Sequence, residues 1–372
     1  MNNSYEVEQR LQRFVLDRLQ EYPFYRPFGK VAHLHELPVV DKRMINEQRE
    51  QFERPVTGKI YETFTSGTTG IPFRCIKTAE ERLQLSMALY RQRKKWGLPA
   101  NHQMLLLSNR SLTEGHHLGH YVSKLMKNRY HMIQGRASAL LSLAQYISDQ
   151  GVQVPDSLLF IQNWGEPVHA FQKKEIEQVF QVPFVDYYGL EELWAIAFSN
   201  RNGQLEVDEQ SVYLEILEPG TFRAVQEGEY GEVVVTSFVM RSIPFIRYRT
   251  GDIGRIFRDP SGALLLELFP VRNEQIKLPN GQIPSSIFRY LDKFFYELAE
   301  HNRIRQFQVI QETYTDFRLL VVAEQLEEPL LHNKLEKFLS QSLSTEVRLT
   351  IERKDGILPS NNGKLQSFIS LV

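Results

Sequence analysis

The spacing of apolar and polar residues divides the chain into regions of different character. Val7, Leu11 and Leu19 belong to an apolar set at helical spacing, which predicts that the chain opens with an amphipathic helix. Residues 22–57 follow, and they are rich in proline and charge. This second stretch is predicted to be irregular.

The middle of the chain alternates between apolar runs and helical periods. Residues 103–108, 157–161 and 183–187 are apolar runs typical of buried strands, and helical stretches near 137–149 and 168–180 separate them. This order predicts a parallel sheet with helices on its faces.

The pattern changes again from residue 211 to residue 269, where turn residues separate short apolar stretches. The predicted strands are Val212–Leu217, Glu232–Thr236, Ile253–Phe257 and Ala263–Leu268. Such a series predicts an antiparallel sheet or a barrel-like subdomain.

A polar, turn-rich stretch at 270–284 marks the predicted domain boundary. We expect an N-terminal domain at 1–271 and a C-terminal domain at 272–372. The elements predicted for the second domain (helix, strand, strand, helix, strand) cover 286–300, 306–312, 317–323, 329–341 and 346–351. The predicted fold class is therefore α/β, with a large N-terminal domain of mixed sheets, flanking helices and a β subdomain, followed by a small α+β domain.

Composition narrows the classes of protein. Of the 372 residues, 42% are hydrophobic and 24% are charged, which is typical of a soluble globular protein, and the formal net charge of -1 gives no reason to expect a nucleic-acid partner. Cys75 is the one cysteine, which excludes an internal disulfide and a cysteine-based zinc cluster. The polar N-terminus lacks the core of a signal peptide, and no apolar run approaches the ~20 residues of a membrane span. We expect a cytoplasmic protein.

The segment Thr65–Pro72 (Thr-Ser-Gly-Thr-Thr-Gly-Ile-Pro) carries the clearest chemical signal. Its backbone N–H groups and hydroxyls can surround a polyphosphate, although the same residues also form ordinary polar turns. It is not a Walker A loop, because no Gly-Lys-Ser/Thr follows. Thr78–Glu81 then reads as a capping box at a helix start, with Leu83, Met87 and Tyr90 on one helical face.

Further polar segments stand out along the chain. They are Gly165-Glu166-Pro167, Asp186–Glu192, Arg247–Asp252 and Asn361–Lys364. The first two follow predicted buried strands, where ligands of parallel sheets gather. Each segment taken alone also fits an ordinary turn or a solvated charge.

In their order and spacing, these segments resemble the motifs of the adenylate-forming (AMP-forming) acyl ligases, and especially the phenylacetate–CoA ligase-like branch. Thr65–Pro72 is similar to the family's phosphate loop, and Gly165–Val168 to its Gly-Glu-Pro-Leu segment. Asp186–Glu192 resembles Asp-x-Tyr-Gly-x-Thr-Glu, and Pro244–Asp252 resembles Pro-x-Ile-Arg-Tyr-x-Thr-Gly-Asp. Asn362–Lys364 resembles the C-terminal Gly-Lys motif, so the likeness spans about 300 residues.

The resemblance implies that a carboxylic acid attacks the α-phosphate of ATP, giving an acyl-AMP and pyrophosphate. It implies that Glu192 holds Mg²⁺, that Lys364 supplies positive charge to the reacting groups, and that Thr68 takes part in catalysis. It also implies that the C-terminal domain is mobile about a hinge at Glu274. The implied nucleotide-binding residues are Thr65, Ser66, Gly67, Thr69, Gly70, Gly165, Glu166, Tyr187, Tyr188, Gly189, Asp252 and Arg272. Of these, Tyr188 stacks on adenine and Asp252 binds the ribose hydroxyls.

The acceptor and the acid are less specified. The resemblance implies a thiol acceptor, either CoA or the phosphopantetheine of an acyl-carrier protein, with amide formation as an alternative. His116, Phe160 and Trp164 are candidate walls of an acid pocket for an aryl or other small acid, or else core residues. His117 and His120 are candidate metal ligands, but no third ligand at a set spacing supports a zinc site.

The sequence departs from the family pattern at several positions. Glu191 stands where the family has Thr, the hinge residue Glu274 replaces Asp, and Gln366-Ser367 replaces the usual arginine. Compared with the family pattern, these departures count against thioester formation more than against adenylation. They also leave open a second class of function, a non-catalytic descendant that binds a nucleotide or a partner.

Overall fold

A computed structural model describes most of the chain. The described residues are 2–29, 33–65, 73–107, 116–268, 275–284, 304–323, 325–357 and 366–372. The described α-helices are α1 (Asn2–Leu19), α2 (Lys42–Glu47), α3 (Arg49–Phe52), α4 (Ala79–Lys94), α5 (His116–Lys127), α6 (Ala137–Asp149), α7 (Ala170–Phe180) and α8 (Glu328–Leu343).

The described strands form several separate sheets. They are β1 (Ile60–Thr65), β2 (Phe73–Thr78), β3 (Met104–Leu106), β4 (Met132–Gly135), β5 (Phe160–Asn163), β6 (Phe184–Val185), β7 (Tyr187–Leu190), β8 (Trp194–Ser199), β9 (Leu205–Val207), β10 (Val212–Leu217), β11 (Gly231–Ser237), β12 (Tyr248–Arg258), β13 (Leu264–Leu268), β14 (Gln275–Leu278), β15 (Gly281–Pro284), β16 (Ile304–Gln311), β17 (Asp316–Ala323), β18 (Arg348–Arg353) and β19 (Phe368–Ser370).

The chain forms two compact units, and each is built from two stretches of sequence. Unit 1 contains Met1–Ala100 and Val185–Leu268, and unit 2 contains Asn101–Phe184 and Phe269–Val372. The boundary predicted between residues 271 and 272 lies outside the described residues. It stays a prediction.

Unit 1 is organised around a seven-stranded sheet in the order β10-β11-β12-β13-β9-β8-β7. Its described pairings are antiparallel, as the alternation of apolar and turn residues predicted. The predicted amphipathic helix is α1, which buries Leu11, Val15 and Leu19 in the core of the unit. A separate antiparallel pair joins β1 to β2, so that Thr65, the first residue of the Gly-rich segment, lies opposite Phe73, the residue after that segment.

Helix α4 begins at the predicted capping box but buries a different face. Thr78 Oγ1 accepts a hydrogen bond from Glu81 N, and the Glu81 carboxylate accepts one from Thr78 N. Leu83 and Met87 do share a face, yet their side chains are 61% and 60% exposed. The face that packs into unit 1 carries Leu85 instead.

Unit 2 contains the predicted parallel sheet, in the order β3-β4-β5-β6. Its described pairings, β3 with β4 and β4 with β5, are parallel. Helix α6 has the predicted bounds, and its apolar side packs into the core of this sheet region. The alternation of apolar runs and helices therefore predicted the parallel sheet, but it missed strand β4 and helix α5.

The C-terminal part of unit 2 is an α+β assembly. A sheet in the order β18-β17-β16-β19 packs against α8 through Leu331, Leu335 and Leu339. The helix predicted at 286–300 lies outside the described residues. None of the described helices is long and apolar enough to span a bilayer.

Candidate active site

Glu192 is the most buried carboxylate among the predicted site residues that the structure describes. Its side chain is completely buried just beyond the end of β7. Glu192 Oε1 lies 2.8 Å from Lys42 Nζ and accepts a hydrogen bond of 3.3 Å from the Tyr248 hydroxyl. Within the described part of the chain, Oε2 has no hydrogen-bond partner. One carboxylate oxygen is thus neutralised and the other is left to bind something else.

This arrangement fits a Mg²⁺ ion that arrives with a nucleotide. Mg²⁺ commonly binds through one or two carboxylates together with substrate phosphates and water, and a bare carboxylate oxygen such as Glu192 Oε2 is a suitable ligand. The described residues contain no group of three or more His, Cys, Asp or Glu side chains arranged to hold a metal ion. The donor set therefore fits a nucleotide-bound ion better than an ion caged by protein.

Asp252 is held in a fixed orientation by its neighbours in unit 1. The Tyr188 hydroxyl donates a hydrogen bond of 2.6 Å to Asp252 Oδ2, and both side chains are buried. Asp252 N donates to Thr250 Oγ1, whose own hydroxyl donates to Val233 O. The residue predicted to stack on adenine is therefore linked to the residue predicted to bind the ribose.

The motif glycine Gly189 is required by a close backbone contact. A Cβ placed on Gly189 would lie 1.6 Å from the carbonyl oxygen of Trp194. Trp194 itself has a φ of 59°, the left-handed region that non-glycine residues rarely adopt. The turn from β7 into β8 is thus tight enough to exclude any side chain at residue 189, and Glu192 lies within this turn.

Glu191, the departure from the family pattern, is compensated by a buried lysine. Lys77 Nζ lies 3.8 Å from Glu191 Oε1 and donates a hydrogen bond of 2.6 Å to the Glu191 carbonyl oxygen. The same ammonium donates to Cys75 Sγ at 3.2 Å, while burial raises the pKa of that thiol. The Glu191 side chain is partly exposed, so its charge is shared between Lys77 and solvent.

Arg247, the first residue of the Arg-Tyr-Arg-Thr-Gly-Asp motif, has a structural task. Its guanidinium is fully buried and makes two hydrogen bonds to the Glu215 carboxylate, at 3.1 and 3.0 Å. It also donates to the carbonyl oxygens of His35 and Leu37. Burial raises the pKa of Glu215, and the adjacent guanidinium opposes that shift. Arg247 therefore binds the chain before α2 to the strand that leads to Asp252.

The predicted site residues of unit 2 are engaged in different contacts. Glu166 is buried, and its Oε2 accepts hydrogen bonds from Ser138 N at 3.0 Å and Ser138 Oγ at 2.7 Å, at the start of α6. Gly165 has a φ of 73°, which favours glycine. Phe160 is fully buried within β5, whereas Trp164 is half-buried with the Arg136 guanidinium 5.9 Å from its ring centroid.

Several predicted residues lie outside the described part of the chain. They are Ser66, Gly67, Thr68, Thr69, Gly70, Arg272, Glu274 and Lys364, together with the side chain of His116. Their roles stay predictions. Among the described residues, contacts within unit 1 connect Thr65, Glu192, Tyr188 and Asp252 with partners from the neighbouring motifs.

Sequence reasoning missed two lysines, Lys42 and Lys77. Lys42 lies in the stretch predicted to be irregular, yet it is the first residue of α2. The N-cap Asp41, which accepts a hydrogen bond from Met44 N, is a local signal for that helix start. No local signal indicates that Lys42 contacts Glu192, because 150 residues separate them in the chain.

Comparison with known proteins supports the resemblance. A 124-residue stretch is 32% identical to phenylacetate-coenzyme A ligase of Pseudomonas putida and covers 32% of this chain and 28% of that protein. A 140-residue stretch is 26% identical to Protein CapK of Staphylococcus aureus, covering 37% of this chain and 29% of that protein. The matched stretches thus span less than a third of these relatives' own lengths.

The similarity in fold extends further than the similarity in sequence. A crystal structure of 2-hydroxyisobutyryl-CoA ligase, in the postadenylation state with R3-HIB-AMP, matches with a TM-score of 0.76 at 15% identity, over 98% of this chain and 89% of that one. No family profile matches the chain. A stretch of this chain is thus similar in sequence to a phenylacetate-coenzyme A ligase, and the fold of the chain is similar to that of 2-hydroxyisobutyryl-CoA ligase, in agreement with the predicted α/β class.

Proposed function

We propose that this protein is an AMP-forming carboxylate ligase that activates a small carboxylic acid with ATP and transfers the acyl group to a thiol, that of CoA. The observation that carries the proposal is the contact between two separate motifs in unit 1. Tyr188 of the first motif donates to Asp252 of the second, and Tyr248 of the second donates to Glu192 of the first. The two carboxylates assigned to nucleotide and metal are thus held by one set of contacts.

In the first half-reaction, a carboxylate oxygen of the acid attacks the α-phosphorus of ATP. The bond from that phosphorus to the bridging oxygen breaks, and pyrophosphate leaves. Asp252 accepts hydrogen bonds from the ribose hydroxyls, and the backbone of Ser66–Gly70 cradles the leaving phosphates. Lys364 supplies positive charge where negative charge shifts in the transition state. Such reactions depend on positioning and charge neutralisation more than on covalent help from the protein.

The proposed metal ligand is Glu192. Mg²⁺ bound there would neutralise charge on the phosphate oxygens. The buried position of the carboxylate strengthens its interaction with cations, because little water competes for it.

In the second half-reaction, the thiol sulfur attacks the acyl carbonyl carbon of the adenylate. A thioester bond forms, the bond from the carbonyl carbon to the phosphate oxygen breaks, and AMP leaves. The thiol proton passes to solvent. CoA is the proposed acceptor because the relative from Pseudomonas putida, similar over 124 residues, is named as a phenylacetate-coenzyme A ligase. Trp164, at the end of β5, is proposed as a wall of a pocket for an aryl or other small acid.

The test is acid-dependent exchange of radiolabelled pyrophosphate into ATP across a panel of aryl and short-chain acids. We expect exchange with at least one acid, and an acyl-CoA product by mass spectrometry when CoA is added. Glu192→Gln should lower the exchange rate by about 100-fold, the scale for loss of a group that stabilises transition-state charge. Lys95→Met, which removes a partly exposed lysine paired with Glu206, is the matched control and should not change the rate.

A different result would favour the other class of function. Binding of ATP or AMP without exchange for any acid would indicate a non-catalytic descendant. Exchange that yields a product only with a carrier protein or an amine would replace CoA as the acceptor and leave the adenylation step intact.

A further inference from the structure

We propose that Lys42 is a phosphate-binding residue of the nucleotide site, and that it alternates between Glu192 and the terminal phosphates of ATP. Lys42 holds Glu192 before the metal–nucleotide complex enters, and it donates to a phosphate oxygen afterwards. The inference rests on the proposed function for the identity of the nucleotide. The competition between Lys42 and a divalent cation for Glu192 can be measured without any reaction.

The first support comes from the contacts of the ammonium group. Lys42 Nζ lies 2.8 Å from Glu192 Oε1 and donates a hydrogen bond of 3.4 Å to Thr65 Oγ1. Thr65 is the first residue of the Gly-rich segment, so one cation touches both the proposed metal ligand and the start of the proposed phosphate loop. Lys42 retains 32% side-chain exposure while Glu192 has none. The lysine therefore has an exposed side from which a ligand can approach.

The second support is that the backbone around Lys42 is fixed to the strand that carries the site. Val40 N donates to Arg247 O, and Arg249 N donates to Val40 O, which forms a parallel bridge to β12. Asp41 then caps α2. The base of the Lys42 side chain is therefore held in place, while its long flexible stem lets the ammonium move over a few ångströms.

The third support is the charge balance at Glu192. One lysine already neutralises the carboxylate, so a divalent cation added at Oε2 would bring excess positive charge. Triphosphate oxygens remove that excess, and they provide a new acceptor for Lys42. Metal and nucleotide are therefore expected to bind together, with the metal alone binding weakly.

The first experiment measures Mn²⁺ binding to the full chain without nucleotide, by electron paramagnetic resonance. Lys42→Met should tighten Mn²⁺ binding by about fivefold, the range for losing a partly exposed ion pair that competes with the metal. Lys42→Arg should resemble wild type. Lys95→Met, which breaks the ion pair of 3.1 Å with Glu206, should leave Mn²⁺ binding unchanged. If Lys42→Met does not fold, Lys42→Gln keeps a donor toward Glu192 without the charge and gives the same comparison.

The second experiment measures pyrophosphate exchange as a function of ATP concentration. Lys42→Met or Lys42→Gln should raise the KM for ATP by about tenfold, the scale of a charged hydrogen bond to a phosphate. Lys42→Arg keeps the charge, so its KM for ATP should lie between that of wild type and that of the uncharged variants. A structural ion pair would change stability and leave the KM for ATP unchanged.

The outcomes separate the two proposals. Unchanged Mn²⁺ affinity in the uncharged variants overturns the competition, and an unchanged KM for ATP overturns the phosphate contact. Wild-type protein that shows no exchange with any acid overturns the proposed function instead, and the Mn²⁺ measurement still decides whether Lys42 competes for Glu192.

Discussion

Among single residues, Glu191 shows how a local sequence departure is absorbed by a neighbour. A carboxylate beside a phosphate site repels phosphates unless it points away or helps to hold a metal. The structure pairs it with Lys77, whose ammonium also binds the Glu191 carbonyl oxygen and Cys75 Sγ. Lys77 is buried and Glu191 is partly exposed, so the lysine contributes mainly through its backbone contact.

This asymmetry predicts unequal effects on stability. Glu191→Thr should change the free energy of unfolding by less than about 1 kcal/mol, because the ion pair is partly solvated. Lys77→Met should cost about 1–3 kcal/mol, because it leaves the Glu191 carbonyl oxygen, in a partly buried contact, without its donor. Urea denaturation of both single variants and the double variant measures these values. A coupling free energy well above 1 kcal/mol would contradict the view that the side-chain pair is weak.

Among the elements, the β7–β8 turn is the part of the site with the least freedom. Gly189 and the left-handed Trp194 bring two strands together so closely that a methyl group cannot fit, and the turn carries both Glu191 and Glu192. The register of the β7–β8 pair shifts between Tyr188 and Gly189, which marks the same point as irregular. The position of Glu192 thus depends on the backbone of this turn as well as on its own side-chain contacts.

Gly189→Ala should therefore destabilise the protein by about 3 kcal/mol, since overpacking against rigid backbone forces the strands apart. We also expect weaker nucleotide binding, because the shift moves Glu192. Gly356→Ala is the matched control, as a Cβ at Gly356 meets nothing within 4 Å. Thermal unfolding and ATP titration measure the two effects. Equal stability of the two variants would show that the turn can relax.

Sequence periodicity predicted elements better than it predicted faces or partners. The α6 bounds and the parallel pairing in the β3–β6 sheet follow from local patterns, since strands and helices alternate there, although strand β4 was not predicted. The buried face of α4 was not predictable, because Glu81 is buried to accept hydrogen bonds from the backbone of Arg241 and Ser242, far along the chain. The contact between Lys42 and Glu192 was not predictable either, because the two residues are far apart in the chain. The resemblance to the family motifs indicated Glu192 as a site carboxylate, but it did not indicate the lysine that neutralises its charge.

At the scale of the whole molecule, the two units divide the predicted site residues between them. Glu192, Tyr188 and Asp252 belong to unit 1, whereas Glu166 belongs to unit 2. The role of Lys364 stays a prediction, since it lies outside the described residues. In the proposed reaction, the positive charge of Lys364 is needed when the α-phosphate is attacked. The first half-reaction therefore depends on Lys364 more than the second does.

Lys364→Ala should lower acyl-AMP formation by about 100-fold or more, as expected for removing a charge that stabilises the transition state. Thioester formation from synthetic acyl-AMP and CoA should fall much less. Lys354→Ala, at an exposed lysine ten residues earlier that pairs with Glu352, is the control and should leave both steps unchanged. Single-turnover measurements separate the two steps, and unimpaired adenylation in Lys364→Ala would exclude the proposed role.

The parallel bridge between Val40 and Tyr248 has a consequence for how the protein is made. About 200 residues separate these partners in the chain. At roughly 5–20 residues per second, a ribosome needs about 10–40 seconds to synthesise that interval. Lys42 lacks Glu192 for roughly the first 150 residues of this interval, and it lacks the strand that anchors its backbone for all of it. The nascent N-terminal segment therefore lacks these native partners until they are synthesised, and a chain that stops before residue 248 cannot complete the carboxylate site.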